Sequence, residues 1–158
     1  MTKELHTFVI ISAPLQEVFS YFFSQNPTVV LGGILFTPKN EKNTLNRVDM
    51  KPGLEELIYF DDGSTALYQL FSAIPRVSFS VHIDDFRSKR FRGLDAMRCH
   101  FTFTQLEANR IIVNCRYQFK MSTRFHELLF DFFLKGSIQK KLDAVLIMGA
   151  RILSIPVK

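Results

Sequence analysis

The chain has 158 residues, of which 47% are hydrophobic, and this length and composition fit one globular domain with a sizeable core. The formal net charge of +5 allows weak attraction to a membrane surface or an acidic protein, but no nucleic-acid-binding motif accompanies it, so nucleic acid is not expected as a partner. Two cysteines are too few for a disulfide framework or a zinc site, and neither a metal nor another cofactor is expected.

The N-terminal part of the chain predicts a strand followed by a short helix. Leu5 to Ser12 is rich in aromatic and β-branched residues, which is typical of a buried strand. Pro14 suits the first turn of a helix that ends near Pro27, and apolar residues follow it at a spacing of three and four: Leu15, Val18, Phe19, Phe22 and Phe23. Thr28 to Phe36 predicts a second short helix or a turn, and Thr37 to Asn46 predicts an exposed loop.

The middle of the chain, from about Leu54 to Met121, predicts an antiparallel sheet because apolar and polar residues alternate along it. Asp61-Asp62-Gly63 is a turn signal that joins the first two strands into a hairpin. The charged stretch from Arg87 to Asp95 is predicted to connect two later strands. Alternation puts His82 and His100 on the outward face of the sheet. The strands are predicted over Leu54 to Phe60, Thr65 to Ala73, Arg76 to Asp84, Arg98 to Thr104 and Ile111 to Met121.

From about Arg124 to Ser154 the chain predicts one long helix whose wide apolar face packs against the sheet. Gly136 and Gly149 each cost roughly 1 kcal/mol relative to alanine, so a close approach to the sheet or a ligand, or a slight bend, is expected there. The opposite side of the helix is predicted to carry Glu127, Asp131, Lys135, Gln139 and Asp143. The apolar face is predicted to contain Phe125, Leu128, Leu129, Phe132, Phe133, Gly136, Leu142, Val145, Leu146, Gly149, Ile152 and Leu153.

The sequence predicts a cytoplasmic protein. Met1 to Glu4 lacks the basic start of a signal peptide, and no small-residue cleavage site follows it. Charged residues interrupt the C-terminal helix, so this helix is not expected to span a bilayer.

The order of these elements, with several local motifs, resembles the START-like (SRPBCC) superfamily, which includes polyketide cyclases, lipid-transfer domains and plant pollen allergens. Phe8 to Pro14 followed by Val18-Phe19 and Phe22 is similar to the opening strand and helix of that superfamily. Gly53 with Asp62-Gly63 is similar to its first hairpin, and Phe101-Thr102-Phe103 to a late strand.

The resemblance covers nearly the whole chain and implies a single domain over residues 1–158 with an α+β helix-grip fold. In that fold a curved antiparallel sheet wraps around the long C-terminal helix, and two short helices follow the first strand. The resemblance further implies a cavity between sheet and helix that binds a hydrophobic small molecule such as a lipid, a sterol, a quinone or a polyketide-like compound.

One departure from the family bears on chemistry. Many bacterial relatives carry arginine three residues after the glycine of the first hairpin and glutamate on the neighbouring strand. Here those positions hold Glu56 and Tyr68. An ion pair or acid–base role attached to the family's pair is therefore not carried over to this chain.

Glu56 shares a predicted strand face with Ile58, so alternation aims its carboxylate at the interior, where desolvation favours the neutral acid. It then serves as a hydrogen-bond donor to a ligand carbonyl, or as a general acid or base. Tyr68 and Tyr117 also fall on inward positions, where a phenol in an apolar pocket orients a ligand. His126, at the start of the last helix, is a candidate for the cavity entrance.

The residues expected to line the cavity are the inward side chains of the strands and the apolar face of the last helix. Three alternatives remain open at this point: a shifted register that exposes Glu56, tyrosine hydroxyls bonded to backbone, and phenylalanine side chains that fill the cavity. The predicted lining set is Glu56, Ile58, Tyr68, Leu70, Phe79, Val81, Phe101, Phe103, Tyr117, Phe119, Leu129, Phe132, Phe133 and Gly136.

The sequence is consistent with three functions. The first is the binding or transport of a hydrophobic small molecule, with Glu56 or Tyr68 orienting its polar end. The second is a cyclase, aromatase or dehydratase that uses the same two residues as acid and base. The third is an interaction module that acts through a basic surface formed by Arg87, Lys89, Arg90, Arg92 and Arg98.

Overall fold

The computed structural model describes residues 2–24, 52–53, 55–59, 63–87 and 92–154. The predicted second helix, the predicted exposed loop and part of the basic surface, including Lys89 and Arg90, lie outside the described residues.

Six strands form one antiparallel sheet with the order β1-β6-β5-β4-β3-β2. Strands β2 to β6 are therefore neighbours in chain order, and β1 joins the sheet at its edge beside β6. The prediction of a consecutive antiparallel sheet is confirmed. The strands are β1 (Thr2–Ile11), β2 (Glu55–Tyr59), β3 (Thr65–Ile74), β4 (Ser78–Asp84), β5 (Leu94–Glu107) and β6 (Arg110–Met121).

Within the described residues, four helical segments accompany the sheet: α1 (Leu15–Ser24), α2 (Arg124–Leu129), a π-helical turn (Phe130–Leu134) and α3 (Lys135–Leu153). Helix α1 follows Pro14, whose carbonyl accepts a hydrogen bond from the Val18 amide at 3.1 Å. Helix α2 is capped by Thr123, whose side-chain oxygen accepts a hydrogen bond from the His126 amide at 3.2 Å. The last three segments form one continuous helical run, as predicted, but the run is not a single α-helix.

The inner face of the sheet is apolar, and α1 packs its aromatic side chains against one end of it. The Phe19 ring lies 5.2 Å from the Phe103 ring, and the Phe22 ring lies 5.7 Å from the Phe101 ring. Phe79 and Phe101 stack on each other at 4.8 Å. Each phenylalanine buried in this way contributes about 1.5–3 kcal/mol by leaving water. Aromatic rings therefore fill the end of the interior under α1.

In the C-terminal helical run, the buried face differs from the predicted one. Phe132 is 77% exposed and Phe133 is 75% exposed, and Gly136 is also exposed, so the prediction that these three residues face the sheet is wrong. Leu142, Leu146 and Gly149 point inward as predicted, and Phe130 and Ile138, which were not predicted, point inward with them. The π-helical turn gives part of the reason, since its wider turn changes the helical phase between α2 and α3.

The polar side of the run contacts edge strand β1, which gives the rest of the reason. Asp131 forms an ion pair with Lys3 at 2.8 Å, and the Gln139 side chain donates to the His6 carbonyl at 3.1 Å. Asp143 accepts a hydrogen bond from the Thr7 hydroxyl. The prediction that Asp131, Gln139 and Asp143 lie on the side away from the sheet is therefore wrong. An edge strand offers unpaired backbone groups, and these polar side chains help to cover it.

The two helix glycines behave differently. A Cβ atom at Gly149 would lie 2.8 Å from the Phe22 ring and 3.1 Å from the Tyr21 ring, so the predicted close approach is real but is made to α1. A Cβ atom at Gly136 would meet nothing within 4 Å. No helix within the described ranges combines the length and the apolar character needed to cross a bilayer.

Candidate functional site

Glu56 and Tyr68 lie directly opposite each other on neighbouring strands β2 and β3. Tyr68 is fully buried, as is Ile58, which shares a strand face with Glu56. Glu56 itself is half-buried, and its Oε1 atom is shielded from solvent. Directly opposed residues of an antiparallel pair have Cβ atoms about 4.5–5.5 Å apart, which is within reach of a shared ligand group. The register of β2 therefore turns Glu56 toward the interior, as its alternation predicts.

The register of the sheet continues this inner surface in two adjacent rows. One row crosses from Tyr68 through Ile83 and Met97 to Phe119, and the next crosses from Leu70 through Val81 and Cys99 to Tyr117. Every one of these side chains is at most 2% exposed. The polar atoms of the two tyrosines thus belong to an otherwise apolar wall.

Tyr117 is the most unusual of these polar groups. Its side chain is fully buried, and its hydroxyl has no oxygen or nitrogen partner among the described residues, only the weakly bonding Cys115 thiol beside it. Burial, followed by the neighbouring thiols of Cys115 and Cys99, raises the pKa of Tyr117 well above its ordinary value. The phenol therefore stays neutral near pH 7 and keeps a proton to donate. A buried polar group left without a partner costs about 1–3 kcal/mol.

The two buried cysteines beside Tyr117 are free thiols. Burial raises the pKa of both Cys99 and Cys115 well above the usual value, so neither is a thiolate near neutral pH. They act as small apolar wall residues.

Tyr117 lies between two aromatic contacts along the interior. On one side its ring is 6.2 Å from Phe101, which belongs to the aromatic cluster under α1. On the other side it stacks at 6.5 Å on Phe119, whose ring in turn lies 5.3 Å from Phe130 of the π-helical turn. The Tyr117 ring therefore belongs to a chain of aromatic contacts that runs from the cluster under α1 to the C-terminal helical run.

The sheet brings together most of the predicted lining residues, and the helix does not. Leu129 is half-buried on α2, and Phe132, Phe133 and Gly136 face away from the sheet. Phe130 and Ile138 take their place, and a sequence signal exists for Ile138, since Ile138, Leu142 and Leu146 recur every four residues. The inner sheet face carries Glu56, Ile58, Tyr68, Leu70, Phe79, Val81, Phe101, Phe103, Tyr117 and Phe119.

This arrangement suits recognition of one polar group inside apolar surroundings. A neutral phenol and a shielded carboxyl group can donate to, or accept from, a ligand, and the surrounding rings provide contact area. Among the residues that the structure describes, no group of three or more histidine, cysteine, aspartate or glutamate side chains could hold a metal ion. His126, the predicted entrance residue, packs its ring against Gly93 and bonds to Thr123.

An antiparallel sheet of six strands with a long C-terminal helix is the α+β helix-grip fold of the START-like, or SRPBCC, and Bet v 1-like proteins. The predicted resemblance to this superfamily is confirmed at the level of the fold.

Solved structures of this class overlay on nearly the whole chain. Norcoclaurine synthase from Thalictrum flavum, in complex with dopamine and hydroxybenzaldehyde, is 11% identical with a TM-score of 0.61 over 100% of this chain and 90% of that one. Ara h 8.0201 is 9% identical with a TM-score of 0.57, over 94% and 99%. XoxI from Bacillus cereus is 13% identical with a TM-score of 0.55, over 91% and 95%. The sequence matches no protein-family model and no curated protein.

Proposed function

We propose that this protein binds a hydrophobic small molecule between the inner face of the sheet and the C-terminal helical run. The observation that carries this proposal is the fully buried Tyr117 hydroxyl, which has no oxygen or nitrogen partner among the described residues and only the weakly bonding Cys115 thiol beside it. A ligand oxygen beside it would accept a hydrogen bond from the phenol and remove the cost of about 1–3 kcal/mol that an unpaired buried group carries.

The expected ligand is largely apolar and carries at least one acceptor oxygen, as a quinone, a polyketide-like compound or a lipid does. The solved complex of norcoclaurine synthase with dopamine and hydroxybenzaldehyde, two small aromatic molecules, supports this class of ligand by likeness of fold. Apolar burial at about 25 cal/mol per Å² supplies the remaining affinity without a dedicated motif.

Native mass spectrometry of the protein purified from its own host, followed by titration with a panel of quinones and lipids, tests this function. We expect a bound apolar compound, or binding to at least one class of the panel. The variant Tyr117→Phe should weaken binding of a carbonyl-bearing ligand by roughly two- to tenfold, the worth of one neutral hydrogen bond. An apolar probe without an acceptor is the matched control and should bind both forms equally. Absence of any bound compound together with no binding across the panel overturns the proposal.

A second candidate function rests on the direct opposition of Glu56 and Tyr68 across β2 and β3. In a cyclase or dehydratase reaction, the ionised form of Glu56 would take a proton from the carbon next to a carbonyl and so become the neutral acid, and Tyr68 would donate a hydrogen bond to the enolate oxygen that develops. Glu56→Gln should then abolish turnover and leave ligand affinity nearly intact. A pure carrier has no turnover to lose, so the same variant distinguishes the two functions.

A further inference from the structure

The outer face of the sheet carries a row of basic and hydroxyl side chains that the interior function does not use. In the strand register, His6 of β1 lies opposite Arg116 of β6, and Arg116 lies opposite His100 of β5. His100 in turn lies opposite Ser80 of β4, and its Nδ1 atom is hydrogen-bonded to the Ser80 hydroxyl. Arg98, two residues from His100 on the same face of β5, adds a second guanidinium group beside this row.

The two arginines of this surface, Arg116 and Arg98, have no ion-pair partner in the part of the chain that the structure describes. The nearby carboxylate of Glu4 accepts a hydrogen bond from Gln118 at 3.2 Å, and the Arg98 guanidinium lies 4.6 Å from the centre of the Phe71 ring. When His100 is protonated, its charge lies directly opposite that of Arg116, and like charges so placed destabilise a sheet. Partial burial and the charge of Arg116 accordingly lower the pKa of His100. A bound anion would remove this repulsion.

The same residues border two adjoining depressions in the outer face. One has a volume of about 360 Å³ and is lined by Glu4, His6, His100, Thr102, Asn114 and Arg116. The other has a volume of about 270 Å³ and includes Ser80, Arg98 and Gln118 in its wall. His100 and Arg116 belong to both walls, so they stand where the two depressions meet.

We propose that this outer surface binds the phosphate groups of a small molecule, with Arg116 and His100 at its centre. Guanidinium groups bind phosphate oxygens through two parallel hydrogen bonds, and such charge-assisted bonds are about twice as strong as neutral ones. The Ser80 hydroxyl is hydrogen-bonded to Nδ1 of His100. The other ring nitrogen, Nε2, can therefore donate a hydrogen bond to a phosphate oxygen. Because the two depressions share these residues, a ligand with two linked phosphates fits this surface better than a ligand with a single phosphate.

Binding at this surface should strengthen as the pH falls. Within the described residues, the titratable and charged groups around His100 are Arg116 of β6, His6 and Glu4 of β1, Arg98 of β5, and His82 of β4 with its partner Asp84. A bound phosphate favours the protonated imidazole, so it raises the pKa of His100 back toward its ordinary value, and the affinity increases as His100 takes up its proton.

Pyrophosphate titrated into the full chain at constant ionic strength, followed by calorimetry and by the ring resonances of His100, tests this site. We expect saturable binding, a shift of the His100 resonances, and a loss of affinity of roughly ten- to hundredfold in Arg116→Gln. The control is Lys120→Gln, which removes the same charge from the same outward face of β6 and should bind as the wild type does. His100→Gln is the second variant, with an expected loss of roughly tenfold at pH 6.

No saturable binding, or equal losses in Arg116→Gln and Lys120→Gln, overturns the site, since both results mean that only net charge attracts the anion. Vesicles of phosphatidylcholine with and without a phosphatidylinositol phosphate identify the source of the phosphate group. Co-sedimentation that Arg116→Gln abolishes indicates a lipid headgroup, and pyrophosphate binding without co-sedimentation indicates a soluble metabolite. Tyr117→Phe should leave pyrophosphate affinity unchanged, so the failure of the interior function and the failure of this site are separable.

Discussion

The inner and outer faces of the sheet come from alternate residues of the same strands, yet they differ in almost every property. On β6, Cys115, Tyr117 and Phe119 point inward and are at most 2% exposed, whereas Arg116 and Gln118 on the other face remain accessible. Because strand side chains alternate with a period of two, one segment specifies two surfaces whose chemistry is independent. Substitutions on one face should therefore affect stability, and substitutions on the other should affect charge, with little overlap.

The largest expected difference between the faces is in core stability. Phe101→Ala removes a fully buried ring and should lower the free energy of unfolding by about 3–5 kcal/mol, because the cavity it leaves cannot collapse. Phe8→Ala on the outer side of β1, where the side chain is 62% exposed, should cost less than about 1 kcal/mol. Urea denaturation of both variants measures the difference. Similar losses for the two variants would show that a partner covers the outer face.

The two faces were predictable to different degrees. The alternation of Phe79, Val81, Phe101 and Phe103 is local, so the inner wall could be assigned from the sequence alone. The outer row depends on which residues the register aligns, and His6, Arg116 and His100 become neighbours only when β1, β6 and β5 pair.

The buried face of the helical run was the least predictable feature, because phenylalanine occurs all around it. Phe130 and Phe132 are two residues apart, yet the first is 2% exposed and the second 77% exposed. The choice between them comes from distant contacts, the ion pair of Asp131 with Lys3 and the hydrogen bond of Gln139 to His6, together with the π-helical turn. Neither contact is visible in a local pattern.

The helix repeats the contrast between inward and outward surfaces on a smaller scale. Gly149→Ala would place a methyl group 2.8 Å from the Phe22 ring, and the resulting overpacking should destabilise the protein by about 1–3 kcal/mol. Gly136→Ala adds the same methyl group where nothing lies within 4 Å. Because alanine has a higher helix propensity than glycine, this substitution should stabilise the protein by up to about 1 kcal/mol. Thermal denaturation of the two variants measures whether each substitution raises or lowers the stability. A stabilising Gly149→Ala would mean that α1 does not pack on α3 as described.

The smallest expected effect is a pH dependence that belongs to the outer face alone. The folded protein lowers the pKa of His100 from the ordinary value of 6.5, so below that value the unfolded chain binds more protons than the folded one. His100 therefore contributes a loss of stability as the pH falls through 6.5 toward its folded pKa, and stability is regained on return to neutral pH. Denaturant titrations between pH 7.5 and 5 should show a shallower decline in His100→Gln than in the wild type.

Pyrophosphate sharpens this last prediction, because it acts on the same proton. An anion bound beside Arg116 and His100 stabilises the protonated imidazole in the folded state, so the decline of stability with falling pH should shrink when pyrophosphate is present. The same addition should leave the pH profile of Arg116→Gln almost unchanged. If pyrophosphate alters the pH profile of stability equally in the wild type and in Arg116→Gln, general charge screening explains the change. The two faces of the sheet would then differ only in their burial.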